Sequence, residues 1–429
     1  MSNAVRRVER HAIHKSDTRF AAIDEASFAS KDLYNASNYI VRQRFIFENT
    51  YTPYFSLYTE MKETPQYRAL PAKVAQQVLR GLHNNWRSFF EAIKEWRIAP
   101  EKFRGRPKLP GYKKKQGRHL LVYTLQAIGQ RILEKKGVLV PSGLPSVEVQ
   151  TKQAHESILE VRIVPKADHY VVEVVYQKEV HHVEGLHPAW IAGVEVGLNN
   201  LAALSSNKPG FVPVLVNGKP IKSINQLYNK RKARLTSILE RDDKPPEEGE
   251  EKPSSRQLKR MATKRYHRIQ HYLHTASRRI VDTLVAEQIG TLVIGKSEDW
   301  KQNLNMGKRN NQAFSSVPFA RFVDMLRYKA EEVGIAVVLT EESYTSKCSF
   351  LDDELPQERE VYTGRRVKRG LFRSSTGKTL NADVQGSCNI VRKVFPEAFS
   401  EVEGIGAAVV RARRMSLNAH PSESLACSI

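Results

Sequence analysis

Three acidic residues stand where carboxylates can do chemistry. They are Glu195 in Ala-Gly-Val-Glu-Val-Gly-Leu-Asn-Asn-Leu-Ala (192–202), Glu342 in Thr-Glu-Glu-Ser-Tyr-Thr-Ser-Lys (340–347) and Asp383 in Asn-Ala-Asp-Val-Gln-Gly-Ser-Cys-Asn-Ile (381–390). The first lies inside an apolar run that reads as a buried strand, where an unpaired charge is costly and a metal, a partner or a strand-end position is implied. The second closes another apolar run, and the third opens a segment that reads as a helix. Carboxylates gathered where strands end and helices begin suit divalent cations, which are hard and prefer oxygen ligands. In a basic protein, two such cations about 3.5–4 Å apart suggest phosphodiester hydrolysis.

The chain is strongly basic. Its 429 residues carry 68 Lys and Arg against 46 Asp and Glu, a formal net charge of +22. Such an excess is the footprint of a polyanion partner, most often nucleic acid. Apolar residues make up 41% of the chain, enough to bury a core in more than one domain. No run approaches the roughly 18 apolar residues that span a bilayer, and the N-terminus shows no apolar signal region, so a cytoplasmic protein is expected, with no membrane partner. The cysteines are Cys348, Cys388 and Cys427, none in a Cys-x-x-Cys pair. That excludes a disulfide scaffold and supplies no zinc-ribbon signature.

The elements that must position the acids follow from periodicity. Residues 20–100 read mostly as helix, with Val74, Val78, Leu79, Leu82, Trp86, Phe89, Phe90 and Ile93 forming a stripe that suits a bundle core. Asn84, Asn85, Arg87 and Lys94 lie on a polar face able to meet a backbone phosphate. The stretch 102–118 is a Pro- and Gly-broken loop in which Lys102, Arg104, Arg106, Lys108, Lys113, Lys114, Lys115 and Arg118 interleave with Phe103 and Tyr112. That mixture suits phosphate contact with base or sugar stacking. Residues 120–180 alternate with period two and predict a small β-barrel or sheet. A charged helical stretch over 222–289 is broken by the proline-bearing acidic loop 242–253. His267, His271 and His274 share one helix face there, but without an acid in the pattern they read as a polar face rather than a metal site. A strand over 289–295, a helix over 319–334 ended by Gly334 and a strand over 335–342 predict an α/β layer. The tail beyond about 400 is expected to be loosely ordered.

At this level of detail the chain resembles a family. Gly193-Val-Glu-Val-Gly-Leu-Asn-Asn-Leu-Ala is similar to the first RuvC-like motif of the TnpB proteins of bacterial insertion sequences, themselves similar to compact type V CRISPR effectors. Residues 300–314, the Glu342-Ser-Tyr-Thr-Ser-Lys segment and Asn381-Ala-Asp-Val-Gln-Gly-Ser resemble the central and third motifs, while 69–79 and 103–113 resemble the N-terminal half. The resemblance covers most of residues 20–395 in consistent order. It implies an α/β-plus-β protein: an RNase H-like RuvC domain, an oligonucleotide-binding-like wedge barrel and an inserted helical recognition domain. The expected division is 1–20 with 102–188 for the wedge, 21–101 for the helical domain, and 189–340 for the nuclease domain with its helical insertion 222–289. Residues 341–395 would continue the nuclease domain with a zinc-less target-nucleic-acid-binding segment, and 396–429 would be a flexible tail.

The implied activity is RNA-guided targeting of double-stranded DNA and metal-dependent cutting next to a short flanking motif. The guide would be transposon-end RNA or crRNA, and base pairing would read the target. Glu195, Glu342 and Asp383 would hold two Mg²⁺ or Mn²⁺ ions. Lys301, Arg309, Lys347, Arg365, Arg366, Arg369 and Arg373 join the basic residues above as expected nucleic-acid contacts.

Three departures from the family pattern bear on activity. Glu195 stands where the family ordinarily has Asp, a shift of about 1.5 Å in carboxylate position. Gly295 stands where the second acid would follow the strand Leu292-Val-Ile. In a branch of the family that acid lies near the Tyr-Thr-Ser segment, which here offers Glu341 and Glu342; strand alternation turns these to opposite faces, and Glu342 is favoured. The family's zinc cysteines are missing, so no zinc is expected. A nuclease-inactive RNA-guided binder or repressor therefore stays open, as does a guide-free nucleic-acid-binding protein whose affinity falls steeply with salt.

Overall fold

The computed structural model describes residues 4–180, 182–242, 255–296, 308–400, 402 and 404–417. The chain forms two compact units, Arg6–Lys178 and a second that runs from Glu179.

In the first unit, β1 (Ala4–His14) is followed by α1 (Phe20–Phe47), α2 (Tyr54–Met61), α3 (Pro65–Arg68) and α4 (Ala72–Ile98). Then come β2 (Leu121–Thr124), α5 (Gln130–Lys136), β3 (Val138–Leu139), β4 (Val149–Gln150), β5 (Ile158–Pro165) and β6 (His169–Glu179). The expected stripe on α4 turns Val74, Val78, Leu79, Leu82 and Trp86 inward, into one core shared with Leu121, Tyr123, Val161 and Val172 of the strands. Where alternation suggested a barrel or sheet and the resemblance a barrel, the strands form a four-stranded sheet in the order β1-β6-β5-β2 and a separate ribbon, β3-β4. Pro141, Gly143 and Pro145 follow β3 and limit its pairing to two residues.

The basic loop 102–118 is not free. Side chains on one face of α1 bind its backbone: Asn38 and Arg42 donate to the Pro110 carbonyl, Asn35 to that of Lys113 and Lys31 to that of Lys115. Spacing of three or four residues along a helix puts these donors in line.

The second unit contains β7 (His187–Val196), β8 (Asn200–Ser206), β9 (Val214–Asn217), α6 (Lys219–Asp242), α7 (Arg256–Ala286) and β10 (Ile289–Gly295). These are followed by α8 (Lys308–Ser315), α9 (Phe319–Glu332), β11 (Ala336–Thr340), β12 (Arg365–Lys368), β13 (Leu371–Arg373), β14 (Thr379–Asn381), α10 (Ala382–Val394), α11 (Ile405–Val409) and β15 (Arg413–Arg414). The main sheet runs β11-β10-β7-β8-β9-β15. Strands β7, β10 and β11 are parallel, and β7-β8-β9 is an antiparallel meander.

Alternation along β7 divides the core. Ala192, Val194 and Val196 face the α7 and α9 side with Leu292 and Ile294, whereas Ile191 and Val293 pack on the α10 side with Val384, Cys388 and Val391. The acidic loop 242–253 lies almost wholly outside the described residues. The expectation of a loose tail is corrected as far as residue 417: β15 pairs with the edge strand β9, and Met415 and Leu417 pack against the apolar core. The apolar residues Val409, Met415 and Leu417 give that segment something to bury.

A small antiparallel sheet, β12-β13-β14, is tied to the loop before it by two carboxylates. Buried Glu354 accepts hydrogen bonds from the Ser349 and Thr363 backbone amides and the Thr363 hydroxyl (2.5–2.7 Å). Asp352 accepts from the Ser349 and Ser375 hydroxyls and the Ser375 amide. Burial works to raise the Glu354 pKa, but the donors from Thr363 and Ser349 outweigh it and hold the carboxyl below its ordinary range. Its contribution is therefore present at neutral pH and lost as pH falls through the carboxylate range. Glu354→Gln, which turns one acceptor arm into a donor, is expected to cost about 2 kcal/mol at pH 7 and much less near pH 3, read from denaturant midpoints at the two pH values.

Candidate nuclease site

The three acids come together at the carboxyl ends of the parallel strands. Glu195 is the penultimate residue of β7 and, two and four residues on from Gly193 and Ile191, points to the α10 side. Asp383 is in the first turn of α10, whose N-cap Asn381 accepts hydrogen bonds from the Asp383 and Val384 amides (2.9 and 3.3 Å). Glu342 follows β11 by two residues, in a turn where Tyr344 has φ of 66°. The Asn200 amide donates to Asp383 Oδ2 at 2.8 Å.

Close approach of α10 to the sheet makes this convergence possible. A Cβ built on Gly193 would lie 2.1 Å from the Ser387 carbonyl oxygen, and one on Gly386 would lie 1.5 Å from Glu195 Oε2. At the end of β10, a Cβ on Gly295 would lie 2.7 Å from Glu342 Oε1 and 2.8 Å from its Cγ. Glu342 and Ile390, whose Cδ1 would lie 2.6 Å from that Cβ, thus fill the space that a side chain at 295 would take. Glu341 points elsewhere, exposed and 3.5 Å from Lys393 Nζ. The turn carrying Glu342 is bolted to the helix: the Asn389 amide donates to the Thr345 and Cys348 carbonyls (2.8 and 2.7 Å), and the Thr345 hydroxyl donates to the Glu342 carbonyl.

The electrostatics are adverse for a bare carboxylate. Residue 195 keeps some exposed surface, but its Oε2 is fully buried and has no hydrogen-bond partner among the described residues. Burial, then the charges of Asp383 and Glu342, push the Glu195 pKa well up, and Arg366 on β12 only partly opposes them. Among the described residues no three acidic, His or Cys side chains form a ready-made metal-ligating group. An orphaned buried oxygen with two further carboxylates in electrostatic reach nonetheless fits a hard divalent cation by donor chemistry.

The basic residues fall into distinct sets. On the second unit Arg365, Arg366, Arg369 and Arg373 are exposed on the small sheet and its turn, and Lys347 stands 5.7 Å from the Tyr344 and Tyr362 rings. On the first unit Arg87, Arg104, Lys108, Lys114 and Lys115 are exposed. Tyr112 is exposed too, with Arg42 over its ring, while Lys113 lies over Tyr34. Lys102 pairs with Glu95, and Arg118 is committed to Asp24 through two bonds of 2.9 and 2.5 Å, so it serves the fold rather than a ligand. Lys301 lies outside the described residues, as does the side chain of Arg309. Sequence reasoning missed a groove of about 600 Å³ on the first unit, lined by Phe45, Phe89, Phe90, Lys94, Arg97 and Arg106. It also missed Asn200, Asn389 and Gly386; only a glycine in mid-helix was a visible signal.

The chain has recognisable relatives. A family model for a probable transposase matches residues 169–301, and one for the TNB domain of Cas12f1-like proteins matches 319–390. The TnpB-like protein ORF457 of Acidianus two-tailed virus is 24% identical over 408 residues, 87% of this chain and 83% of the viral one. The structure of a Cas12f1–sgRNA–target DNA complex superposes with a TM-score of 0.51 at 13% identity, covering 86% of this chain and 81% of that one. The chain therefore has a mixed α/β fold like that of Cas12f1. Its resemblance to the TnpB family, related to the type V effectors, is borne out. Among the described residues no helix is long and apolar enough to cross a membrane.

The buried, repelled carboxyl predicts a trade between stability and function. Glu195→Gln removes the charge at nearly constant shape and is expected to raise stability by about 1–2 kcal/mol in chelator, measured by thermal melting. A lower melting temperature would mean that the carboxyl is satisfied as it stands.

Proposed function

We propose that this protein is an RNA-guided DNA endonuclease of the RuvC type. The observation that carries the reading is the convergence of Glu195, Glu342 and Asp383 at one end of a sheet whose strand order, β9-β8-β7-β10-β11, supports the RNase H-like fold that the resemblance implies. Guide RNA and target double-stranded DNA are its partners in this reading, by analogy with the complex it superposes on. Bound Mg²⁺ or Mn²⁺ would supply Lewis-acid stabilisation and an activated water.

The chain's own residues do the rest. Glu195 offers a carboxylate from the end of β7 and Asp383 one from the start of α10, and Glu342 offers a third from the turn after β11. Asn200 holds Asp383 in rotamer, and Asn389 holds the turn that carries Glu342. Arg366, close enough to influence Glu195, would meet a scissile-strand phosphate, with Arg365, Arg369, Arg373 and Lys347 along the same backbone. The basic residues of 104–115 and the aromatic groove on the first unit suit RNA backbone and stacked bases.

A second reading, an RNA-guided binder that does not cut, draws on Glu195 where the resembled family ordinarily has Asp and on the absence of a preformed ligand set among the described residues. Expression with the native locus, sequencing of copurifying RNA and incubation with matching plasmid and Mg²⁺ separates the two. Guide-dependent cleavage is expected, with Glu342→Ala or Asp383→Ala lowering it by about a hundredfold or more and leaving DNA binding nearly intact. Guide-dependent binding with intact DNA would establish the silent effector instead. Absence of a discrete RNA would count against both.

A further inference from the structure

Gly386 lies in the interior of α10, one turn beyond Asp383 and fully within the core. Its φ is not in the left-handed region, so backbone conformation does not demand glycine there. After proline, glycine is the poorest helix former, and alanine would serve the helix better. A packing reason is therefore needed, and one is present. A Cβ at 386 would lie 1.5 Å from Glu195 Oε2, 2.5 Å from its Cδ and 3.1 Å from its Oε1. The carboxylate occupies the place of the missing methyl group.

We infer that Gly386 is the positioning residue that allows a glutamate, rather than an aspartate, to serve at position 195. The inference deepens the nuclease reading and rests on it for the role of the carboxylate. Strand β7 and helix α10 are fixed by other contacts: Gly193 against the Ser387 carbonyl, and the Ser387 hydroxyl bonded to that of Ser205 at 2.9 Å. With the gap between the two elements held, a side chain at 386 is admitted only if the Glu195 carboxylate, the far end of its side chain, moves from the place it now occupies. An aspartate at 195 would withdraw the carboxylate by about 1.5 Å and leave room for a methyl group. The two positions are coupled: a long acid goes with no side chain, a short acid with a small one.

The test is a double-mutant cycle with Glu195→Asp and Gly386→Ala, each variant prepared as the full chain. Melting in chelator reads the packing, and Mn²⁺ binding followed by electron paramagnetic resonance reads the site, both independently of cleavage. Gly386→Ala alone is expected to lower the melting temperature and weaken Mn²⁺ binding at least tenfold. Glu195→Asp alone is expected to weaken Mn²⁺ binding severalfold. In the Glu195→Asp background the sign reverses: adding Gly386→Ala raises the melting temperature, because only the helix preference for alanine is left, and recovers Mn²⁺ binding. Should Gly386→Ala lower the melting temperature equally in both backgrounds, the coupling is absent and the inference is wrong. A wild-type chain that binds no Mn²⁺ and cuts no DNA would overturn the nuclease reading, while the melting cycle would still decide the coupling.

Discussion

The close approach of α10 to strands β7 and β10 is the constraint on which the rest of the site depends. Three glycines permit it, Gly193 and Gly295 on the strands and Gly386 on the helix, each at a position where a Cβ would collide with the opposite element or with a carboxylate. Without that proximity Asp383, at the start of the helix, could not act on Glu195 near the end of its strand. The cost is electrostatic. Burial weighs most on Glu195, and the charges of Asp383 and Glu342 add to that penalty.

The frame around this point is over-determined. Asn389 satisfies two carbonyls of the turn after Glu342, and Arg392, on the same helix, donates to the Phe350 carbonyl and to Asp353. Further on, Glu354 and Asp352 gather amides and hydroxyls from three short segments. A carboxylate accepting several donors at once fixes loops in much the way a bound cation would, but by acceptance rather than ligation. One helix thus carries a catalytic candidate at its start and braces the basic sheet with its later turns, which couples the placement of Arg366 to that of the acids.

Much of this was legible in the sequence, and the remainder fails for identifiable reasons. Alternation in 191–196 already places Glu195 on the same face as Gly193, and the Asn381 cap announces the start of α10. Length and apolar content locate β10, α9 and β11. What sequence does not carry is the meeting of residues distant along the chain: Asn200 with Asp383, and Gly386 with Glu195. Arg118 looked like one more basic residue of a phosphate-binding loop, yet Asp24 on α1 claims it. The tail misled in the opposite direction, because a two-residue edge strand and a few apolar side chains are too short a signal to outweigh a run rich in Ala, Arg and Ser.

Two departures at the acids acquire a common explanation in space. At the end of β10 stands Gly295, and Glu342, from the turn after the neighbouring strand, shares with Ile390 the volume that a side chain there would take. At position 195 stands a glutamate, and the facing helix has a glycine, Gly386, where its carboxylate lies. In both cases a glycine and a glutamate share one volume, the glycine supplying the room and the glutamate the charge.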